Sequence, residues 1–164
     1  MHRVVLLTGS NAPQKELLLA RAAEILAESV GPFVARSEVC YSEPWGFSSE
    51  EEFANEALVL ESELEPLQVL DRALECEQRV GRNRKAELQE KALTGEQYAS
   101  RVIDVDVIFY DSEQISLPRL EVPHPRVHLR EFALVPLSQV VGQYQHPTLG
   151  KSVSELLAEL KNRD

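Results

Sequence analysis

Ser100-Arg101-Val102-Ile103-Asp104-Val105-Asp106-Val107-Ile108-Phe109-Tyr110 decides how this chain reads. Seven of its eleven residues are apolar, with β-branched and aromatic types that favour a buried β-strand. Two aspartates interrupt it, two residues apart. In a strand, residues i and i+2 point to the same face, roughly 7 Å apart. Two carboxylates on one face of an apolar strand are costly unless something positive lies between them. A divalent cation answers that need, and all-oxygen ligands suit Mg²⁺. An exposed edge-strand face, or an ion pair with Arg101, answers it equally well on spacing alone.

Upstream, Arg3 to Thr8 reads as a first buried strand, and Gly9-Ser10-Asn11-Ala12-Pro13 as a turn. A helix over 14–29 follows, with Ser10 or Asn11 as N-cap and Leu17, Leu18, Ala22, Ile25 and Leu26 inward. Phe33 to Tyr41 and Asn55 to Ser62 read as two further strands, joined by a loop with the aromatic run Pro44-Trp45-Gly46-Phe47. Pro66 opens a helix to about Val80, with Leu67, Leu70, Leu74 and Cys76 inward. Residues 81–100 are polar, charged and centred on Thr94-Gly95-Glu96, and read as a long mobile loop.

Downstream, Ile115 to Val122 gives short strand pieces broken by Pro118, and Pro123-His124-Pro125 a rigid turn. Arg126 to Gln139 reads as helix interrupted at Pro136, and Ser152 with Glu155 forms a capping box for a last helix. The order is β-α-β-β-α-β. It predicts an α+β, ferredoxin-like core with an antiparallel sheet, helices on both sides and a small C-terminal accessory half. At 164 residues the chain suits a single domain spanning 1–164.

Composition narrows the partners. A net charge of −10 argues against nucleic-acid and anionic-membrane binding. No segment has the length of a membrane span, and no secretory signal opens the chain, so a cytoplasmic protein is expected. Cys40 and Cys76 read as buried thiols of a reducing compartment. Residues 79–130 hold nine Lys and Arg against eight acids, whereas the rest holds eight against nineteen. Arg82, Arg84, Arg101, Arg119, Arg126 and Arg130 thus gather around Asp104 and Asp106, a pattern suited to a polyanionic ligand such as a nucleotide. No glycine-rich phosphate loop is present. Trp45, Phe47 and Phe53 are of the type that stacks on a flat heterocycle, with Asn55 able to read its edge; a core cover and a turn cap are the simpler readings of Trp45 and Asn55.

Taken together, these residues resemble the 6-hydroxymethyl-7,8-dihydropterin pyrophosphokinase family of folate biosynthesis. The resemblance rests on Gly9-Ser10-Asn11, Glu43-Pro44-Trp45-Gly46-Phe47, Phe53-x-Asn55, Glu77 with Gly81-Arg82-x-Arg84, Arg101-x-Ile103-Asp104-x-Asp106, Pro123-His124-Pro125 and Arg130-x-Phe132. It implies transfer of pyrophosphate from ATP, as co-substrate, to the hydroxymethyl group of the pterin, with release of AMP. It implies two Mg²⁺ ions on Asp104 and Asp106, and assisting roles for Arg82 and Arg101 on a mobile catalytic loop of about 82–100. Glu77, Arg84, Val107, Arg119, His124 and Arg130 match nucleotide-side positions. Gly9, Ser42, Pro44, Trp45, Phe53, Asn55, Tyr98 and Phe132 match the pterin side, Tyr98 standing where many members carry a tryptophan. A monomer is the family expectation. Leu74, where some members have glutamine, and Glu121, where threonine is frequent, depart from the pattern. Another two-metal nucleotidyl or phosphoryl transferase on the same fold would leave the aromatic loop and Asn55 unexplained, and a non-catalytic ligand-sensing module would leave Arg101, Asp104 and Asp106 without a purpose.

Overall fold

In a computed structural model, which describes residues 1–42, 52–81 and 103–162, the first strand lies at the centre. β1 (His2–Ser10) pairs antiparallel with β4 (Phe53–Ser62) on one side and β5 (Asp104–Tyr110) on the other. β2 (Phe33–Arg36) and β3 (Cys40–Ser42) both pair antiparallel with β4, and the main path is β2-β4-β1-β5. The expected single strand over 33–41 is therefore two short strands. Ser37 accounts for the break: its Oγ accepts the N–H of Ala57, and its own N–H goes to the Ala57 carbonyl.

Both faces of the sheet are covered, which is why β4 is buried continuously from Ala54 to Leu60. Alternate residues sort between two apolar clusters. Val4, Leu6, Leu58, Leu60, Val105 and Val107 meet α1 (Lys15–Ser29) and α2 (Pro66–Val80). Val5, Leu7, Ala57 and Val59 meet α3 (Glu131–Val141) and α4 (Val153–Lys161). The pairing of β1 with β5 shifts between Val5 and Leu6. The bulge puts both Ile108 and Phe109 in the second cluster, thickening the core under α3. This is the α+β, antiparallel, ferredoxin-like arrangement expected, with helices on both sides.

Local readings need correction in four places. In α1 the buried stripe is Leu19, Ala22, Ala23, Ile25 and Leu26, and Leu17 is 65% exposed. In α2 it is Val69, Ala73, Cys76, Glu77 and Val80, while Leu67 and Leu74 face outward. Helical spacing admits either phase when leucines flank smaller apolar residues, and the close α1–α2 packing selects the stripe containing the alanines. Second, the N-cap of α1 is Gln14 without a side-chain bond; Ser10 Oγ instead accepts the N–H of Ala12 within the preceding turn. Third, α3 runs through Pro136, which is buried on the same helix as the core residues Ala133, Leu134 and Leu137, so burial offsets the missing backbone bond. Fourth, Cys76 is buried as expected, but Cys40 is only half-buried.

In the accessory half the hairpin and the last helix follow the sequence reading, whereas the helix expected from Arg126 begins only at Glu131. β6 (Ile115–Ser116) and β7 (Glu121–Val122) form a hairpin around Pro118, and a 3-10 turn spans Val127–Leu129. Ser152 Oγ accepts the N–H of Glu155, and the Glu155 carboxylate accepts the N–H of Ser152, completing the capping box of α4.

Candidate active site

One end of the sheet gathers the C-terminal end of β1, the starts of β4 and β5, and β3. Gly9 is opposite Asn55 on one side and opposite Asp104 on the other. Cys40 is opposite Asn55, and Ser42 opposite Phe53. One step deeper, Leu7 stands between Ala57 and Asp106. Opposed residues share a face. Cys40, Asn55, Gly9 and Asp104 thus form a row across four strands, on the α3 side, with Asp106 in the next row. Asp104 and Asp106 are both half-buried, on the same face of the same strand, as their spacing predicts.

Gly9 gives this row its shape. A β-carbon there would lie 2.4 Å from Asn55 Nδ2. The missing side chain lets the Asn55 amide lie against β1, where Nδ2 donates to the Thr8 carbonyl at 3.2 Å. Asn55 is 5% exposed, and its buried Oδ1 has no hydrogen-bond partner among the described residues. A buried acceptor left unpaired costs about 1–3 kcal/mol. With the donor held by Thr8, the amide presents an acceptor to any ligand bearing an N–H. The simpler reading of Asn55 as a turn cap does not hold, since it sits inside β4.

The remaining sequence-derived candidates are placed as follows. Phe132 is half-buried against the second cluster at the start of α3, with the Arg130 guanidinium 5.7 Å from its ring centre. His124 donates its backbone N–H to the Ile108 carbonyl on β5, and its Nδ1 accepts the N–H of Arg126. Burial, then Arg130 and Arg126, hold the His124 pKa below its ordinary value, so the ring favours the neutral form. Val107 is buried in β5 opposite Leu6. Glu77, at the end of α2, accepts the N–H of Val105 at 2.8 Å. Arg119 is ion-paired with Asp71 of α2 at 2.7 Å, both side chains about half exposed. Pro44, Trp45, Arg82, Arg84, Tyr98 and Arg101, with the 82–100 loop, lie outside the described residues.

Sequence reasoning treated Cys40 only as a structural thiol and did not single out Gln139. Gln139 Nε2 donates to Cys40 Sγ at 3.6 Å, and its Oε1 accepts the N–H of Glu38, tying α3 to the strand beside Asn55. Only the strand register reveals that neighbourhood. Asn11, which was read as a cap, instead has a buried Oδ1 without a partner among the described residues, just beyond Gly9.

The donor set fits a divalent cation. Two carboxylates on one strand offer hard oxygen ligands of the kind Mg²⁺ prefers, and partial exposure leaves room for ligand oxygens and water. A paired-carboxylate strand thus lies beside a recessed amide on a ferredoxin-like sheet. The family model for 7,8-dihydro-6-hydroxymethylpterin-pyrophosphokinase matches residues 5–142, and the chain belongs to that family. A Methylorubrum extorquens 2-amino-4-hydroxy-6-hydroxymethyldihydropteridine pyrophosphokinase is 37% identical over 164 residues, covering 98% of this chain and 94% of the relative. The Porphyromonas gingivalis enzyme of the same name is 35% identical over 145 residues, covering 88% and 93%. Among solved structures, the wild-type HPPK-DHPS of Plasmodium falciparum with pteroate superposes with a TM-score of 0.71 at 14% identity, which speaks for the fold. The superposition covers 99% of this chain and 43% of that longer one. The chain is accordingly a pyrophosphokinase that transfers pyrophosphate from ATP to hydroxymethyldihydropterin in folate biosynthesis.

Proposed function

We propose that the transfer takes place on the row running from Asn55 through Gly9 to Asp104, with Asp106 behind it. The observation that carries this reading is the register: one glycine separates the amide suited to the acceptor from the carboxylates suited to the phosphates. Asn55 Oδ1 accepts from the pterin ring, Gly9 and Ser42 lie beneath and beside it, and Phe53 and Phe132 flank the ring; the family resemblance assigns Pro44, Trp45 and Tyr98 to the same substrate. Asp104 and Asp106 hold two Mg²⁺ ions. Mg²⁺ bound there supplies charge neutralisation for the triphosphate and for the attacking hydroxyl.

The protein's own task is positioning. The hydroxymethyl oxygen forms a bond to the β-phosphorus and gives up its proton to solvent, the bond from that phosphorus to the α,β-bridging oxygen breaks, and AMP departs with that oxygen. Asn55 and the aromatic groups hold the acceptor in line, which is worth several kcal/mol of the barrier in a well-oriented site. Arg82 and Arg101 stabilise charge that develops on the transferred group, while Glu77, Arg84, Val107, Arg119, His124 and Arg130 serve the nucleotide side. The neutral His124 ring has Nδ1 engaged by Arg126, so Nε2–H is the group it offers to a phosphate oxygen.

The chain acts as a single domain over 1–164 and as a monomer in the cytoplasm. No helix among the described residues is long and apolar enough to cross a membrane, and the net charge of −10 disfavours nucleic acid. Asp106→Ala tests the site. The variant is expected to lose turnover at least about a thousandfold while keeping its circular dichroism and its pterin affinity, because it removes a metal ligand and a repulsive carboxylate together. Chromatography of the nucleotide products reads the outcome: AMP formed by the variant at the wild-type rate would place the transfer elsewhere.

A further inference from the structure

Among the described residues β5 is the outer strand of the sheet, and its outward N–H and C=O groups face no described strand. Two of these groups are nonetheless engaged. The Ile108 carbonyl accepts the His124 backbone N–H at 3.1 Å, and the Val105 N–H is taken by Glu77 Oε2 at 2.8 Å. Val105 is the residue between Asp104 and Asp106. Its own side chain is buried in the cluster beneath α1 and α2.

Glu77 is 7% exposed, which is unusual for a carboxylate and costly without a partner. It belongs to the closing turn of α2, where its carbonyl also accepts the N–H of Gly81. A charge-assisted bond to a backbone amide is shorter and stronger than a neutral one. Here it joins the end of α2 to the Asp104–Val105 peptide, one of the two peptide units that separate the aspartates.

We infer that Glu77 is a positioning residue for the Asp104–Asp106 pair: its carboxylate pins β5 to α2 at Val105 and so holds the two cation ligands at their working separation. This goes beyond a nucleotide contact for Glu77 and rests on the reading of Asp104 and Asp106 as the Mg²⁺ ligands. The two roles separate experimentally. A nucleotide contact acts on nucleotide affinity, whereas the clamp acts on cation affinity and on exchange of one amide proton.

The experiment uses the full chain as wild type, Glu77→Ala, Glu77→Gln and Asp106→Asn. Mn²⁺ is titrated with the free-ion signal followed by electron paramagnetic resonance, without nucleotide and with α,β-methylene-ATP. Exchange of the Val105 amide is followed by ¹⁵N nuclear magnetic resonance. Glu77→Ala is expected to weaken Mn²⁺ binding about 10–100-fold, the range typical of groups that orient metal ligands, and to release the Val105 amide to fast exchange. Glu77→Gln keeps a carbonyl oxygen for that amide, so it retains slow exchange and most of the Mn²⁺ affinity. Loss of nucleotide affinity in Glu77→Ala with Mn²⁺ binding unchanged overturns the proposal. If Glu77→Ala does not fold, Glu77→Gln decides: lost Mn²⁺ affinity with a protected Val105 amide overturns the clamp equally. Asp106→Asn binding Mn²⁺ as tightly as wild type would remove the metal reading itself, whatever Glu77 does.

Discussion

Gly9 shows how much one missing side chain decides. Its neighbours in the sheet are Asn55 and Asp104, and the nearest atom to a virtual β-carbon is Asn55 Nδ2 at 2.4 Å. Gly9→Ala must therefore push the Asn55 amide off the Thr8 carbonyl, turning its orphan oxygen out of place. The expected result is a pterin affinity lowered about tenfold or more, from one lost buried hydrogen bond to the ligand, with nucleotide affinity kept. Calorimetric titration with each substrate measures this; equal pterin affinity in the variant would show that Asn55 adapts. The two aspartates stood out as single residues by their type and spacing, and Asn55 through the family resemblance. That they meet across Gly9 was not legible, because register depends on pairing partners scores of residues away.

The elements were legible where local signals agreed. The Ser152–Glu155 capping box is read directly from sequence and is present in the structure, so Ser152→Ala should cost about 1 kcal/mol in urea unfolding. The segment before it carries a less obvious device. His146 is 4% exposed, and its Nδ1 accepts the N–H groups of Thr148 and Leu149, closing a turn that leads into α4. Burial, and then the nearby His128, lower its pKa from the ordinary 6.5, as burial and two arginines do for His124. A lowered histidine pKa means that the unfolded chain binds the proton more readily. Stability is then fully present above about pH 6.5 and is lost as the pH falls through the lowered folded values. Urea midpoints should fall between pH 7.5 and 5.5. His146→Asn, which keeps an acceptor for the turn without titrating, should flatten that fall; an unchanged slope would acquit His146. The helix phases of α1 and α2 show the opposite case. Leucines at equivalent spacing made two stripes acceptable, and only α1–α2 packing chose between them.

At the scale of the molecule, β1 supplies alternate side chains to two cores. Leu26 and Leu60 lie in the cluster under α1 and α2, and Leu137 lies in the one under α3 and α4. Leu26→Ala and Leu137→Ala should each cost about 2–5 kcal/mol, as cavities in well-packed cores do. Because both cores share the same sheet, both variants should shift one cooperative transition, seen alike by far- and near-ultraviolet circular dichroism. Separate transitions in either variant would mean that the accessory half unfolds by itself.

Sequence alone determined the order of elements, the Asp104-x-Asp106 strand, the composition that disfavours membranes and nucleic acid, and the family resemblance later borne out. Those are local or compositional properties, set by residue type, periodicity and capping chemistry. Tertiary structure decided the rest: the β2–β3 break at Ser37, the inward phase of the helices, the glycine between Asn55 and Asp104, and the reach of Glu77 to Val105. Each of these joins residues distant in sequence, and its energy comes from packing and buried hydrogen bonds that exist only once the sheet has closed between its two layers of helices.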